Sequence, residues 1–324
     1  MQIDSINAKM LSELSVNARI TDNALAKITR KSKDTMRYRI QKLKDAQIIT
    51  AQSAIIDYTK LGLTSFKVYL TISASKDEYD ALYQWAYSLA ETFCIFEAQS
   101  GWHLGLAFFC EDVLHFERIQ SRLNAQFGHI IREQILTHMT RAYTYADSFH
   151  PKKMRVSHEL FGEIKRNTLS PTEITLLTEL QRDASQTYVQ LAQKSGISIE
   201  PTIRKIKQLQ ERNIIRRFVT NINYRKLGYS VYKVFISVQF LTTDLDVTLK
   251  AFLEQYAQMR NIISIIGPWR FEVEFVVKTH EELYTIVQEI QTQFGKQISG
   301  ISYTIYHSEV YYPAGLYIPK MVYS

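Results

Sequence analysis

Twice along the 324-residue chain, apolar residues recur every three or four positions and then give way to short alternating or continuous apolar runs. The first pattern is that of amphipathic helices and the second that of strands. Near the start, Asp4 precedes a helix carrying Ile6, Met10, Leu11 and Leu14. Thr21 precedes a helix through Leu25-Ala26, and Ser32 one with Met36, Ile40 and Leu43 on one face. The later block is punctuated more sharply. Ser170-Pro171-Thr172-Glu173 is a capping box with proline in the first turn, opening a helix with Ile174, Leu177 and Leu180 that ends at Asp183-Ala184. Thr187 to Gln190 is a second box, Gly196 permits a tight turn, and Ser198 is expected to cap a third helix with Pro201 in its first turn and Ile206 and Leu209 facing inward. Ile214-Ile215 and Phe218 to Ile222 then read as a strand or small wing. Three short helices and a wing predict a winged helix-turn-helix in each block.

Each block is followed by a different pattern. Strands are expected at Ser65–Ile72, Cys94–Gln99, His103–Phe109 and Glu133–Tyr143, with helices at Asp77–Leu89 and Val113–Phe127. The later copy reads Val231–Phe240, helix Leu245–Met259, Ile262–Ile266, Arg270–Val277, helix His280–Phe294 and Ile301–Tyr306. The order β-α-β-β-α-β is that of a ferredoxin-like unit.

The two halves are copies. Lys60-Leu61-Gly62 recurs as Lys226-Leu227-Gly228, and at the same offset Tyr58 meets Tyr224, Ile48-Ile49 meets Ile214-Ile215, and Leu25-Ala26 meets Leu191-Ala192. Phe127-Gly128 meets Phe294-Gly295 one residue later. A period this long is duplication of a whole module rather than a solenoid repeat. The fold class expected is therefore α+β: a winged helix-turn-helix plus a ferredoxin-like domain, the pair duplicated in tandem. The domains are 1–62 and 169–228 (winged helix-turn-helix), 63–150 and 229–324 (ferredoxin-like), and a linker at 151–168. A helix is expected in this basic connection around Glu159–Lys165.

Charge follows the same division. The net charge of +7 is distributed as +5 over residues 1–62, −4 over 63–150, +8 over 151–228 and −2 over 229–324. Basic modules alternating with acidic ones are the footprint of a polyanion-binding part joined to one that does not bind it. On the third helix of the first copy, Ser32, Lys33, Asp34, Arg37, Tyr38 and Gln41 fall on or beside the face opposite the apolar one, where a major groove would meet them. Arg39, Lys42 and Lys44 are placed for phosphates. The second copy offers Ser198, Glu200, Arg204, Lys205 and Lys207, with Ile199 and Ile203 where polar base readers would be expected. The first copy has Arg30-Lys31 where the second has Gly196-Ile197, so its turn is expected to be strained or reshaped.

The run from Asn17-Ala18-Arg19-Ile20-Thr21 through Leu25-Ala26, Ser32, Thr35, Met36, Arg39, Ile40 and Leu43 to Ile48-Ile49 resembles the DNA-binding half of the leucine-responsive (Lrp/AsnC) regulators. The second copy matches the same outline, and Lys-Leu-Gly after each wing matches that family's passage into its second domain. The resemblance implies double-stranded DNA as partner and sequence-specific transcription regulation. It also implies a ferredoxin-like domain that binds a small-molecule effector and joins chains into a homodimer or higher homo-oligomer. Two such domains in one chain imply an intramolecular pseudo-dimer. The family's effector turn falls at Gly101-Trp102-His103 and at Gly267-Pro268-Trp269-Arg270, making Gly101, Trp102, Gly267, Trp269 and Arg270 the candidate effector residues. The family's aspartates are missing from both turns, and a plain β-turn over a packed tryptophan is the competing reading.

Other classes find little support. There is no phosphate-cradling glycine loop, nucleophile elbow or zinc-protease motif, and Cys94, His103, Cys110 and His115 lack zinc-module spacing. No catalytic residue, metal or cofactor is assigned. The two cysteines fit small buried residues in a reducing cytoplasm, and neither a secretory leader nor a membrane-spanning apolar run is expected. Two alternatives stay open. Sirohaem decarboxylases resemble this architecture, but the tyrosine-proline runs Tyr311-Tyr312-Pro313 and Tyr317-Ile318-Pro319 lack that family's histidine and tryptophan. A structural adaptor with degenerate helix-turn-helix units is the other.

Overall fold

The structure, a computed structural model, describes residues 3–98, 101–147, 157–160, 162–240, 243–312 and 314–318. Its first unit packs three helices, α1 (Ser5–Val16), α2 (Asp22–Thr29) and α3 (Lys33–Asp45), before strand β1 (Ile49–Ile56) and a 3₁₀ turn at Tyr58–Leu61. Asp4, Thr21 and Ser32 each accept a backbone N–H of the following helix, as the sequence pattern requires. The ferredoxin-like half follows as β2 (Thr64–Ile72), α4 (Lys76–Ser88), β3 (Thr92–Ala98), β4 (Leu104–Cys110), α5 (Val113–Phe127) and β5 (Ile131–Tyr145). After β6 (Ser157–Leu160) the second copy repeats the order. It runs α6 (Pro171–Arg182), α7 (Tyr188–Ser195), α8 (Ile199–Glu211), β7 (Ile215–Ile222), a 3₁₀ turn at Tyr224–Leu227, β8 (Ser230–Val238), α9 (Thr243–Leu253), β9 (Met259–Ile266), β10 (Phe271–Val277), α10 (His280–Phe294) and β11 (Ile298–Tyr311). The fold is thus the duplicated α+β arrangement.

The copies are joined by two sets of strand pairings. Each winged unit contributes one strand where a wing was expected, and β1 and β7 pair with each other, antiparallel, to make a ribbon shared by both units. In the ferredoxin-like halves the strands order as β5-β2-β4-β3 and β11-β8-β10-β9. The long last strand of each half then crosses over. β5 pairs with β2 through 131–139 and with β9 of the other half through 138–144, while β11 pairs with β8 and then with β3. Eight antiparallel strands close into a ring, and β6 extends the end of β5.

Side-chain alternation sorts each strand. Outward residues such as Val68, Leu70, Leu104, Leu106 and Phe108 lie under α4 and α5, and Val234, Ile236, Val273 and Phe275 under α9 and α10. Inward residues, among them Tyr69, Phe96, Trp102, Phe235 and Tyr306, fill the ring. The winged units are completed crosswise. Met10, Leu11, Leu25, Met36 and Leu43 of the first share a core with Ile222, Tyr224, Leu227 and Val276 of the second copy. Leu176, Leu177, Leu180, Leu191 and Ile206 of the second share one with Ala54, Ile56, Tyr58 and Phe109 of the first.

Several expectations are corrected by these contacts. Ser198 sits at the start of α8 but makes no side-chain cap. Ser32 caps through the N–H of Thr35 three residues on, and the corresponding residue after Ser198 is Pro201, which has no N–H to give. The helix expected at Glu159–Lys165 is absent. Ser157–Leu160 pairs as a strand with β5, and the chain beyond donates Lys165 N–H to Thr59 O (2.8 Å) and Asn167 N–H to Lys60 O (3.0 Å). Residues 151–156 and Phe161 of that connection lie outside the described residues, as do Gln99, Pro313 and Pro319. α9 ends at Leu253, short of the expected Met259, because Met259 begins β9 opposite Phe275. β5 and β11 outrun their expected C-terminal limits because each has a second partner in the other copy. At the first turn, Arg30 adopts φ 56°, ψ 43°, close to the φ 68°, ψ 23° of Gly196, so the turn keeps its shape at the cost of a left-handed arginine.

One glycine is required by the ring. A Cβ on Gly105 would lie 1.8 Å from Phe96 Cε2, since the Phe96 ring lies flat over that position. Gly105→Ala is expected to destabilise the protein by about 1–3 kcal/mol. Adding Phe96→Leu should recover part of the loss, measured by thermal unfolding of the single and double variants.

Candidate nucleic-acid interface

On α3, Lys33, Asp34, Arg37, Tyr38, Gln41 and Lys42 are exposed together on the face opposite Met36 and Leu43. They are partly ordered already. Arg37 Nε donates to Asp22 Oδ2 at the start of α2 (2.6 Å), Gln41 Nε2 to Asp45 Oδ1 (2.7 Å), and Lys42 Nζ lies 5.2 Å from the Tyr38 ring centre. Ser32 serves as the cap. Arg39, expected at a phosphate, is turned toward α1, where Nη1 donates to Asp4 Oδ2 (2.7 Å) and Asn7 Oδ1 (2.9 Å). On a helix whose residues 36, 40 and 43 face the core, position 39 falls at the flank and meets the neighbouring helix first.

On α8, Glu200, Arg204 and Lys207 are exposed, and Lys207 pairs with Glu211 one turn on (3.7 Å). Lys205 is half-buried, with Nζ 3.5 Å from Ser170 Oγ at the start of α6. Ile199 and Ile203 are 45% and 41% exposed, beside Glu200 and Arg204 rather than folded into the core. The two helices therefore present different chemistry, cationic and hydrogen-bonding on α3, and on α8 the apolar Ile199 and Ile203 beside Glu200, Arg204 and Lys207.

The two units are held against each other as well as through the ribbon. Ala18 N–H donates to Phe218 O (2.9 Å), and the equivalent Ala184 N–H to Gln52 O (2.7 Å). Arg19 reaches from the first unit into the second, donating through Nη1 to Ala184 O (2.6 Å) and Gln186 O (2.8 Å) with its guanidinium 4.7 Å from the Tyr188 ring centre.

The candidate effector turns lie at the ring. Gly101 and Gly267 occupy the β3–β4 and β9–β10 turns. Trp102 and Trp269 fold inward, edge-on to Tyr69 at 5.0 and 5.3 Å between ring centres. Arg270 is matched by Asp246 of α9 at 2.6 Å.

Pattern reasoning missed what these tryptophans surround. Glu272, fully buried, accepts from Lys67 Nζ (2.5 Å) and Lys233 Nζ (3.1 Å) at Oε2, and from Tyr69 OH (2.5 Å) and Trp269 Nε1 (3.3 Å) at Oε1. Lys233 also meets Glu274 at 3.2 Å, and Arg260 lies 4.0 Å from Glu274 and 3.6 Å from Glu309. Burial would push the Glu272 carboxyl up, but the two ammonium groups overcome that and hold it at about 2. Burial pushes the Lys67 ammonium down despite Glu272, and burial together with neighbouring Glu274 pushes the Glu309 carboxyl up against Arg260. The signal was present: Lys67 and Lys233 stand at equivalent positions of β2 and β8, each a charge inside an apolar strand.

A model described as winged helix-turn-helix DNA-binding matches residues 3–50 and 169–216. The leucine-responsive regulatory protein of Rhizobium meliloti is 34% identical over 94 residues, 29% of this chain, and the match spans 59% of that protein's length. The transcriptional regulator AzlB of Bacillus subtilis is 28% identical over 141 residues, covering 42% of this chain and 87% of AzlB. Among solved structures, the siroheme decarboxylase NirDL covers 94% of this chain and 92% of its own with a TM-score of 0.62 and 11% identity, a likeness of fold. No helix among the described residues is long and apolar enough to cross a membrane, and no group of three or more potential metal ligands occurs among them.

Since Glu272 has its proton affinity lowered from the usual carboxylate value of 4.5 to about 2, its contribution to stability is complete above about 4.5 and is lost as pH falls toward 2. Glu272→Gln leaves two buried ammonium groups short of charge and is expected to cost about 3–5 kcal/mol at pH 7. Its stability should vary less with pH between 4.5 and 2 than that of the unmodified protein. Urea unfolding across that range measures both.

Proposed function

From two Lrp/AsnC-like winged helix-turn-helix regions in tandem, we propose that the chain is a sequence-specific, double-stranded-DNA-binding transcription regulator, and not an enzyme. The observation that carries this reading is the pair of exposed recognition-type helices, α3 and α8, tied to one body by the β1–β7 ribbon and by Arg19. Basic modules at both helices favour phosphate contact, and the relatives with which the winged regions align are regulators.

The asymmetry between the helices implies an asymmetric site. α3 reads through Lys33, Arg37, Tyr38 and Gln41, residues able to donate to purine edges. α8 reads through the methyl-rich Ile199 and Ile203, suited to thymine C5-methyl groups, with Arg204 beside them. Every strand of the ring has two strand neighbours, and residues 131–137 of β5 and 298–305 of β11 pair on one side only.

The test is selection of duplex DNA fragments by the full chain, with binding measured across a salt series. Enrichment of a two-part motif with unlike halves, one of them T-rich, and affinity that falls steeply with salt is the expected result. Arg204→Ala should cost about 1–3 kcal/mol on the selected site. An equal loss on random DNA would assign that arginine to phosphates. Absence of binding even at low salt overturns the regulator reading and turns attention to tetrapyrroles and protein partners.

A further inference from the structure

Between the ribbon and the ring lies a cavity of about 550 Å³, walled on one side by β1 and β7 and on the other by β3, β5, β9 and β11. Its size is that of a site for a small organic molecule. The polar groups on its wall are unevenly used. Arg217 of β7 is 8% exposed, and its Nη2 donates to Thr144 Oγ1 (2.8 Å), yet Nε and Nη1 have no hydrogen-bond partner among the described residues. Thr220 Oγ1 on the same strand and Tyr306 OH on β11 are buried and equally unpartnered.

The carboxylates on the wall, by contrast, are engaged. Asp147 accepts from Tyr224 OH (2.6 Å) and Ser15 Oγ (3.2 Å), Glu274 is held by Lys233, and Glu309 lies beside Arg260. No described carboxylate lies within 4 Å of the Arg217 guanidinium nitrogens. Counting Glu272 behind Lys67, five cationic side chains face four carboxylates around this space. A buried cation with idle donors costs free energy that an anionic occupant would recover. Phe93, Phe109 and Tyr311 add aromatic surface to the wall, beside polar groups such as Ser53, Gln181 and Asn221.

We propose that this cavity is a binding site for a small organic anion, a carboxylate on an apolar or aromatic body, held by Arg217 with Thr220 and Tyr306. It is separate from the β-turn residues Gly101 and Gly267. Since its wall includes both ribbon and ring, occupancy ties the seating of the recognition helices to the ligand. That coupling rests on the regulator reading; the binding itself does not.

Calorimetric titration of the full chain, without DNA, uses benzoate and phenylpyruvate as probes and uncharged benzamide as control. Saturable binding of at least one carboxylate, with none for benzamide, is expected. Arg217→Gln should weaken it more than about tenfold, and the near-isosteric Thr220→Val, which keeps the folded chain if the arginine variant loses it, by several-fold. No saturable binding of either carboxylate up to millimolar concentration, or equal binding by Thr220→Val and the unmodified chain, overturns the site and leaves a merely hydrated cavity. DNA affinity is then compared with and without saturating probe. A several-fold shift supports the coupling, and unchanged affinity with the probe bound overturns the coupling alone.

Discussion

Everything in this molecule depends on a sheet-edge constraint that neither copy can satisfy alone. A four-stranded ferredoxin-like sheet has two edges, and an edge with unpaired N–H and C=O groups is a liability that a protein must cover or pair. Here the long strands β5 and β11 overrun their own halves and pair with β9 and β3 of the other, so that an edge strand of each sheet gains a partner. The ribbon repeats the solution on a smaller scale, since β1 and β7 are single strands whose ladder exists only between copies. Crosswise completion of the helical cores follows directly: with strands interlocked, each winged unit comes to rest on the other copy's chain.

Closing the ring creates a second requirement, an interior that must be filled. The outward faces take aliphatic residues beneath helices, while the inward face takes aromatics and, at its centre, a carboxylate ringed by four donors. The two copies have diverged to make this possible. The strand pairing places Lys67 opposite Ala107 and Lys233 opposite Glu274, so the lysine is duplicated whereas the carboxylates belong to the second copy alone. At the position matching Glu272 the first copy has Gly105, which makes room for Phe96. Removing ions from water is costly, and the arrangement holds because Glu272 has a donor for each of its lone-pair directions.

How much of this could be read from the chain depends on whether a signal is local. The repeat, the capping boxes and most helix and strand positions were legible because Ser170, Glu173, Thr187 and the spaced leucines act on their own turns. Ser198 looked like a cap and is not one, because the residue that decides it, Pro201, acts by lacking a proton. The expected helix at Glu159–Lys165 lost to carbonyls of Thr59 and Lys60, more than a hundred residues earlier. The extra lengths of β5 and β11 were hidden for the same reason. At the candidate interface, the exposed face of α3 was legible from periodicity, but the diversion of Arg39 to Asp4 needed knowledge of where α1 lies. The buried ion cluster was invisible to net-charge counting, which treats Lys67 and Lys233 as surface cations. Parity within an apolar strand would have pointed them inward.

Interlocking also decides what kind of DNA reader the proposed regulator would be. A dimer of separate chains can re-pair its units, and it presents two identical helices to two identical half-sites. In this chain the units share a ribbon, a crosswise core and the Arg19 contact, so their separation is set by covalent and strand-paired structure. Duplication within one chain releases the helices from symmetry, because a change in α8 need not be matched in α3. Ile199 and Ile203 in one helix against Lys33 and Arg37 in the other are what that release permits. The same asymmetry reaches the cavity below the ribbon, where Arg217 lines one wall while the matching position of β1, Ala51, carries only a methyl group. A pseudo-symmetric scaffold with one-sided chemistry offers one ligand site rather than two. Its occupancy would act on the shared ribbon, and so on both helices at once.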